Sequence, residues 1–230
     1  MLLAAACSHS PPGGGFRKPV PGFESSIQRA VFAGGRLWLL DDSGQLSSIV
    51  EGVEARTPEN LPGLAADLCL RGGAPTVATC DGESCSDWTV RSWNAGQWSV
   101  VANIPGHGER LQAMSCAGSQ VLLLASERLI VVSSEGKTES VTLSDSLLKR
   151  GRIASVDVEG DQIYVGASAG EWGGGLRLID RRTGRVTVVE RNASGGPCDG
   201  PLNTNCDPIN GIQREPWRPD CVAATWAWYT

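Results

Sequence analysis

Residues 160–192 read GDQIYVGASAGEWGGGLRLIDRRTGRVTVVERN: an alternating apolar run, a glycine-rich turn, a second run, a Thr183-Gly184 turn and a third run. The pattern recurs more weakly from Ala33, AGGRLWLLDDSGQLSSIV, and from Ala117, AGSQVLLLASERLIVVSSEGKTESV. Self-similarity at a fixed period constrains architecture more than any single motif, because each unit must bury its apolar face against the next. Glycines closing equivalent inner turns, Gly35, Gly73, Gly118 and Gly160, are spaced 38, 45 and 42 residues apart. That is the length of one four-stranded antiparallel meander.

Four units follow, at about 23–61, 62–106, 107–149 and 150–192. Their strands alternate or run in short β-branched blocks, as half-buried and buried strands do. Asp41-Asp42-Ser43-Gly44, Asn94-Ala95-Gly96, Ser134-Glu135-Gly136 and Arg182-Thr183-Gly184 form hairpin turns, each ending in a glycine able to take positive φ. The only helical signal is 144–149, SDSLLK, with Ser144 as N-cap. The expected fold is all-β: a β-propeller of about four four-stranded blades over 22–192, either part of an incomplete ring or, as the alternative, a complete ring of four or five blades. Residues 193–230, rich in Pro, Asn, Asp and Cys, are expected to form an irregular, disulfide-stapled excursion and then, from Cys221, the start of a further strand.

In the fourth unit, residues 163–166, Gly174-Gly175-Leu176, Asp180 and Thr183-Gly184 carry a pattern that resembles bacterial propellers of the two-component-regulator and quinoprotein-like type. The resemblance covers that blade well and reaches about two-thirds of the chain by pattern. It implies a propeller with a partner-binding habit and implies no reaction. Residues 1–21 read as leader and linker. Met1 to Ala6 is small and apolar, Cys7 follows, and Ser8 to Gly15 has the composition of a flexible tether. This resembles the end of a bacterial lipoprotein signal, implying lipidation of Cys7 and a start codon further upstream. Against the usual pattern, there is no charged n-region, the apolar segment is short, and Ala4 stands where a Leu is usual.

The other cysteines suit an oxidising compartment. Cys80 with Cys85, and Cys198 with Cys206, stand at loop ends, while Cys69 and Cys116 precede equivalent turns and are placed to pair across neighbouring units; Cys221 is left over. The expected location is therefore periplasmic or outer-membrane, with peripheral membrane attachment through the lipid, or else secreted. With 20 Lys+Arg against 25 Asp+Glu and no basic block, a nucleic-acid partner is disfavoured.

Candidate binding residues lie on loops. Glu171 and Trp172 tip the glycine-rich connection 170–175, and Trp217 stands in the last segment; a Trp beside a carboxylate suits stacking on a sugar ring or gripping a peptide. Trp88, Trp93 and Trp98 recur across one hairpin, and their odd spacing sends Trp88 and Trp93 to opposite faces. Asp199, Asn203, Asn205 and Asp207 place hard oxygens at near-alternate positions, a weak Ca²⁺ pattern that departs from an EF-hand and competes with simple turn stabilisation. No nucleophile elbow, Walker loop or dinucleotide fingerprint occurs, and His107 is the one histidine outside the leader. Near the inner-strand ends the acids read are Glu159 and Asp161. The expected function is a non-enzymatic, exported, lipid-anchored module that binds a protein or glycan. The alternatives are a propeller hydrolase, lactonase or quinoprotein-like enzyme with a metal or cofactor in the channel, and an extracytoplasmic sensor module of a signalling protein.

Overall fold

The computed structural model describes residues 26–50, 56–80, 85–148, 151–189, 198, 202–215 and 217–226. They form a β-propeller of four four-stranded antiparallel blades followed by a two-stranded sheet. Blade 1 comprises β1 (Ile27–Ala33), β2 (Arg36–Asp41), β3 (Leu46–Val50) and β4 (Arg56–Pro58); blade 2, β5 (Leu64–Arg71), β6 (Ala74–Cys80), β7 (Asp87–Asn94) and β8 (Gln97–Pro105). Blade 3 comprises β9 (Leu111–Ala117), β10 (Gln120–Ala125), β11 (Arg128–Val132) and β12 (Thr138–Thr142); blade 4, β13 (Arg152–Glu159), β14 (Gln162–Ser168), β15 (Gly174–Asp180) and β16 (Val186–Val189). The final pair is β17 (Ile209–Glu215) and β18 (Arg218–Trp226). The innermost strands pack in chain order, β1 on β5, β5 on β9, β9 on β13 and β13 on β17.

Two expectations are corrected. Of the segment 144–149, the described residues 144–148 form no helix: Ser144 and Asp145 lie in bends, and the Ser144 hydroxyl accepts the Val186 N–H of the next blade instead of capping a turn. The described helical element is a single 3₁₀ turn at Gly170–Trp172. The irregular reading of the last segment also misses β17, whose Ile209 and Ile212 stand three positions apart with Asn210 and Gly211 between them; the hairpin partner β18 begins at Arg218, before Cys221. Among the described residues no helix is long and apolar enough to cross a membrane.

The core lies between blades, in three apolar clusters. The first holds Trp38, Leu40 and Leu46 of blade 1 against Leu68 and Val77 of blade 2. The second joins Trp88 and Val90 of blade 2 to Met114, Val121 and Leu123 of blade 3, and the third joins Leu122, Leu124 and Leu129 of blade 3 to Ile153, Ile163 and Ile179 of blade 4. Successive residues of a strand face opposite sides, so blades 2 and 3 each feed two clusters. Trp88 accordingly enters the second cluster, while Trp93 and Trp98 stack edge-on with Trp38 at the first, with centroids 5.1 to 5.7 Å apart. The tryptophan set is therefore inter-blade packing.

Tight turns bring blades close. Gly184 has φ 72°, and a Cβ there would stand 2.0 Å from the Thr142 carbonyl oxygen of the preceding blade. Gly136 repeats the arrangement against Val101 one seam earlier. Only glycine supplies both the left-handed φ and the missing atom.

Candidate functional site

Every inner strand carries a β-bulge at the same place. Pairing with the second strand skips Gln28 in β1, Ala66 in β5, Gln112 in β9, Ala154 in β13 and Asn210 in β17. A bulge bends the strand and re-aims the residues after it. The residues immediately following are Arg29, Asp67, Ala113, Ser155 and Gly211, and they decide how blades meet at the axis.

Asp67 is the centre of this arrangement. One carboxylate oxygen accepts Arg29 Nε of β1 at 3.0 Å and the Leu68 N–H at 2.8 Å; the other accepts the Met114 N–H of β9 at 2.7 Å. Arg29 Nη1 then reaches across the axis to the Ala154 carbonyl of β13 at 3.3 Å. One ion pair thus ties the inner strands of four blades. Burial pushes the Asp67 carboxyl pKa above its ordinary value, outweighing the opposing pull of Arg29 and the two backbone N–H groups. The motif recurs at the last seam, where Ser155 Oγ accepts the Ile212 N–H at 3.0 Å. Two residues further along, Cys69 of β5 is bonded to Cys116 of β9, and Asp157 of β13 meets Arg214 of β17 at 3.4 Å. The seams after blades 2 and 4 therefore use one geometry with different chemistry. Sequence reading found only Glu159 and Asp161 near the inner-strand ends. It passed over Asp67 because a single acid inside a strand carries no local signal.

The disc has two faces, distinguished by strand direction. The upper face holds the turns between second and third strands and the connections between blades; the lower face holds the turns between first and second strands. On the upper face, a groove of about 800 Å³ is lined by Gln28, Asp42, Leu64, Ala66, Glu109 and Arg110, among others. Asp41, at the end of β2, is buried at its rim and accepts the Ser43 and Gln45 N–H groups. Glu109 is held by Arg128.

Trp172 stands on the same face, 70% exposed. Its loop is braced from behind: Gly174 N–H donates to Thr204 O and Gly175 N–H to Asp207 O, both at 2.9 Å. A Cβ on Gly173 would lie 2.3 Å from the Thr204 oxygen, so the loop's glycines are there to allow this contact. The brace is itself stapled by Cys198–Cys206 and folded on Asn203, whose side-chain oxygen accepts the Asn205 N–H, while Asp207 accepts the Asn203 N–H. The Asn203 and Asp207 side chains and the Asn205 N–H thus take part in the turn. Asp199 and Cys7 lie outside the described residues, and Glu171 is placed in the 3₁₀ turn. Among the described residues there is no group of three or more His, Cys, Asp or Glu side chains positioned to hold a metal.

Trp217, 77% exposed, occupies the β17–β18 turn and hence the lower face. The structure keeps 202–208 beside Trp172 and sends Trp217 to the other side, because one strand length separates them. Cys80 is bonded to Cys85, and Cys221 is a free, exposed thiol.

No family model matches the chain, and no curated protein matches it in sequence. Solved structures do. YCF48 bound to D1 peptide aligns with a TM-score of 0.54 and 11% identity, over 90% of this chain and 63% of that one. The computationally designed Ika8 protein aligns with a TM-score of 0.55 and 15% identity over 91% and 60%, and the WD40 domain of Neurospora crassa Pan2 with 0.52 and 8% over 86% and 58%. At such identities the likeness is one of fold: the chain is a β-propeller by architecture. It spans about six-tenths of the length of these propellers.

Proposed function

We propose that this protein is a non-enzymatic binding scaffold that takes an extended peptide segment of a partner protein on its upper face. The observation that carries this reading is Trp172: a largely exposed indole on a loop fixed by two backbone hydrogen bonds and a disulfide-stapled brace. Exposing a large aromatic costs free energy, and rigid Trp anchors are what interfaces use as hot spots. The groove on the same face offers a peptide the apolar Leu64 and Ala66 flanked by Asp42 and Arg110. A propeller of the same fold, YCF48, has been captured with a peptide, which supports the mode of use. Three disulfides suit an extracellular or otherwise oxidising compartment. The reading extends to export and anchoring through a lipidated Cys7, on the strength of the N-terminal composition.

The test is selection from a displayed peptide library on the wild-type protein, counter-screened on Trp172→Ala. Enriched peptides are expected to lose roughly 30-fold in affinity on the variant, the size of an interface hot spot. Failure to enrich any peptide, or enriched peptides indifferent to Trp172, contradicts the proposal.

A further inference from the structure

Below the Arg29–Asp67 pair a second cavity, of about 360 Å³, lies along the axis among the inner strands and opens toward the lower face. Its lining combines two kinds of group. Val31, Leu70, Met114 and the Cys69–Cys116 disulfide make apolar walls, while Arg29, Ser115 and Ser155 bring donors. The donors are in surplus. Arg29 spends Nε on Asp67 and Nη1 on two backbone carbonyls, which leaves Nη2 without an acceptor among the described residues. Among the described residues the Ser155 hydroxyl accepts from Ile212 and donates to nothing, and the Ser115 hydroxyl has no partner. The acceptors are already used: both Asp67 oxygens carry N–H partners, and Asp157 faces Arg214. A half-buried guanidinium with a free nitrogen, beside two hydroxyls that can donate, asks for an anion with acceptor oxygens. The walls ask for an aliphatic body.

We infer that this axial cavity is a binding site for an aliphatic carboxylate, its oxygens on Arg29 Nη2 and the Ser115 and Ser155 hydroxyls and its hydrocarbon part against Val31, Leu70 and Met114. The same chemistry is carried by a free short-chain acid and by the C-terminus of a peptide ending in leucine. The site shares no lining residue with the upper-face groove.

The experiment is isothermal titration calorimetry of the whole protein with 4-methylpentanoate, with its neutral analogue 4-methylpentanamide, and with an acetylated tripeptide ending in a leucine carboxylate. The free acid is expected to bind saturably, and the amide roughly tenfold or more weakly, since a charge-assisted hydrogen bond is lost. Tighter binding of the tripeptide than of the acid identifies a peptide C-terminus as the natural source; the reverse identifies a free acid. Ser115→Ala, which removes no structural hydrogen bond, is expected to weaken the acid about three- to tenfold. Arg29→Gln is expected to abolish binding, and Trp172→Ala to leave it unchanged. Absence of saturable binding by both carboxylates, equal binding of acid and amide, or indifference to Ser115→Ala overturns the assignment.

Discussion

The seam between blades 2 and 3 and the seam between blades 3 and 4 are built on the same bulged strand, yet they are held differently. Both bury an apolar cluster. The first adds a disulfide, the Asp67 carboxylate on the Met114 N–H, and Arg71, which donates to the Ser119 and Ser134 carbonyls at 2.7 and 2.8 Å. At the second, the residue after the bulge is Ala113, which can accept nothing. That seam relies on Leu122, Leu124 and Leu129 packing on blade 4, on Arg181 reaching Gln120, and on the cross-axis strut from Arg29. The repeat thus preserves backbone geometry and lets side-chain chemistry vary from seam to seam.

This contrast can be broken at several points. Replacing Cys69 and Cys116 together by Ser should cost the most, about 4 kcal/mol from the 47-residue loop the bond closes, against about 2 kcal/mol for the short Cys80–Cys85 loop. Urea unfolding of the two double variants measures the difference, and equal losses would deny the first seam its special role. At the second seam, Leu124→Ala should lose about 3 kcal/mol, because a fully buried side chain leaves a cavity between blades. Next in size is Gly184→Ala, at roughly 1–2 kcal/mol or more, since it combines a left-handed φ with a collision on Thr142; a shift in thermal midpoint would show it. Gly160→Ala, also left-handed but with open space around it, should cost less.

The smallest effect is electrostatic. Folding raises the Asp67 pKa above 3.8, so the folded chain holds that proton more tightly than the unfolded one. The resulting contribution is complete below about pH 3.8 and is lost as pH rises through the folded value. Urea midpoints collected upward from that pH should show the decline in wild type and lack it in Asp67→Asn. Asp180 behaves oppositely: hydrogen bonds from Thr183 and Arg182 hold its carboxyl below the ordinary range, so its contribution fades as pH falls.

Much of the fold was legible in the sequence because its signals are local. Alternation along 162–168 and 174–180, and glycines at Gly73, Gly118 and Gly160, announce strands and turns without reference to distant residues. The pairing of Cys69 with Cys116 followed from their equivalent places before the turns. What escaped depends on juxtaposition. Arg29 and Asp67 are single polar residues inside strands, and their meaning appears only when bulges turn β1, β5 and β9 toward one axis. The opposite placement of Trp172 and Trp217 depends on counting strand reversals through β17, which the Pro- and Asn-rich composition around it conceals. The Trp172 loop was visible as a glycine-rich tip; its brace on Thr204 and Asp207 was not.

The most direct test of the axial account is amide hydrogen exchange by mass spectrometry on wild type and Asp67→Ala. Losing the carboxylate leaves Arg29 and the Met114 N–H without their partner, a cost of about 1.5–3 kcal/mol per charged hydrogen bond. Exchange in peptides covering 64–71 and 111–117 should therefore accelerate roughly tenfold to hundredfold, with a smaller rise in 152–159 through the Arg29 strut and little change in 209–215. Uniform acceleration across all blades, or none in 111–117, would contradict the claim that Asp67 ties the inner strands together.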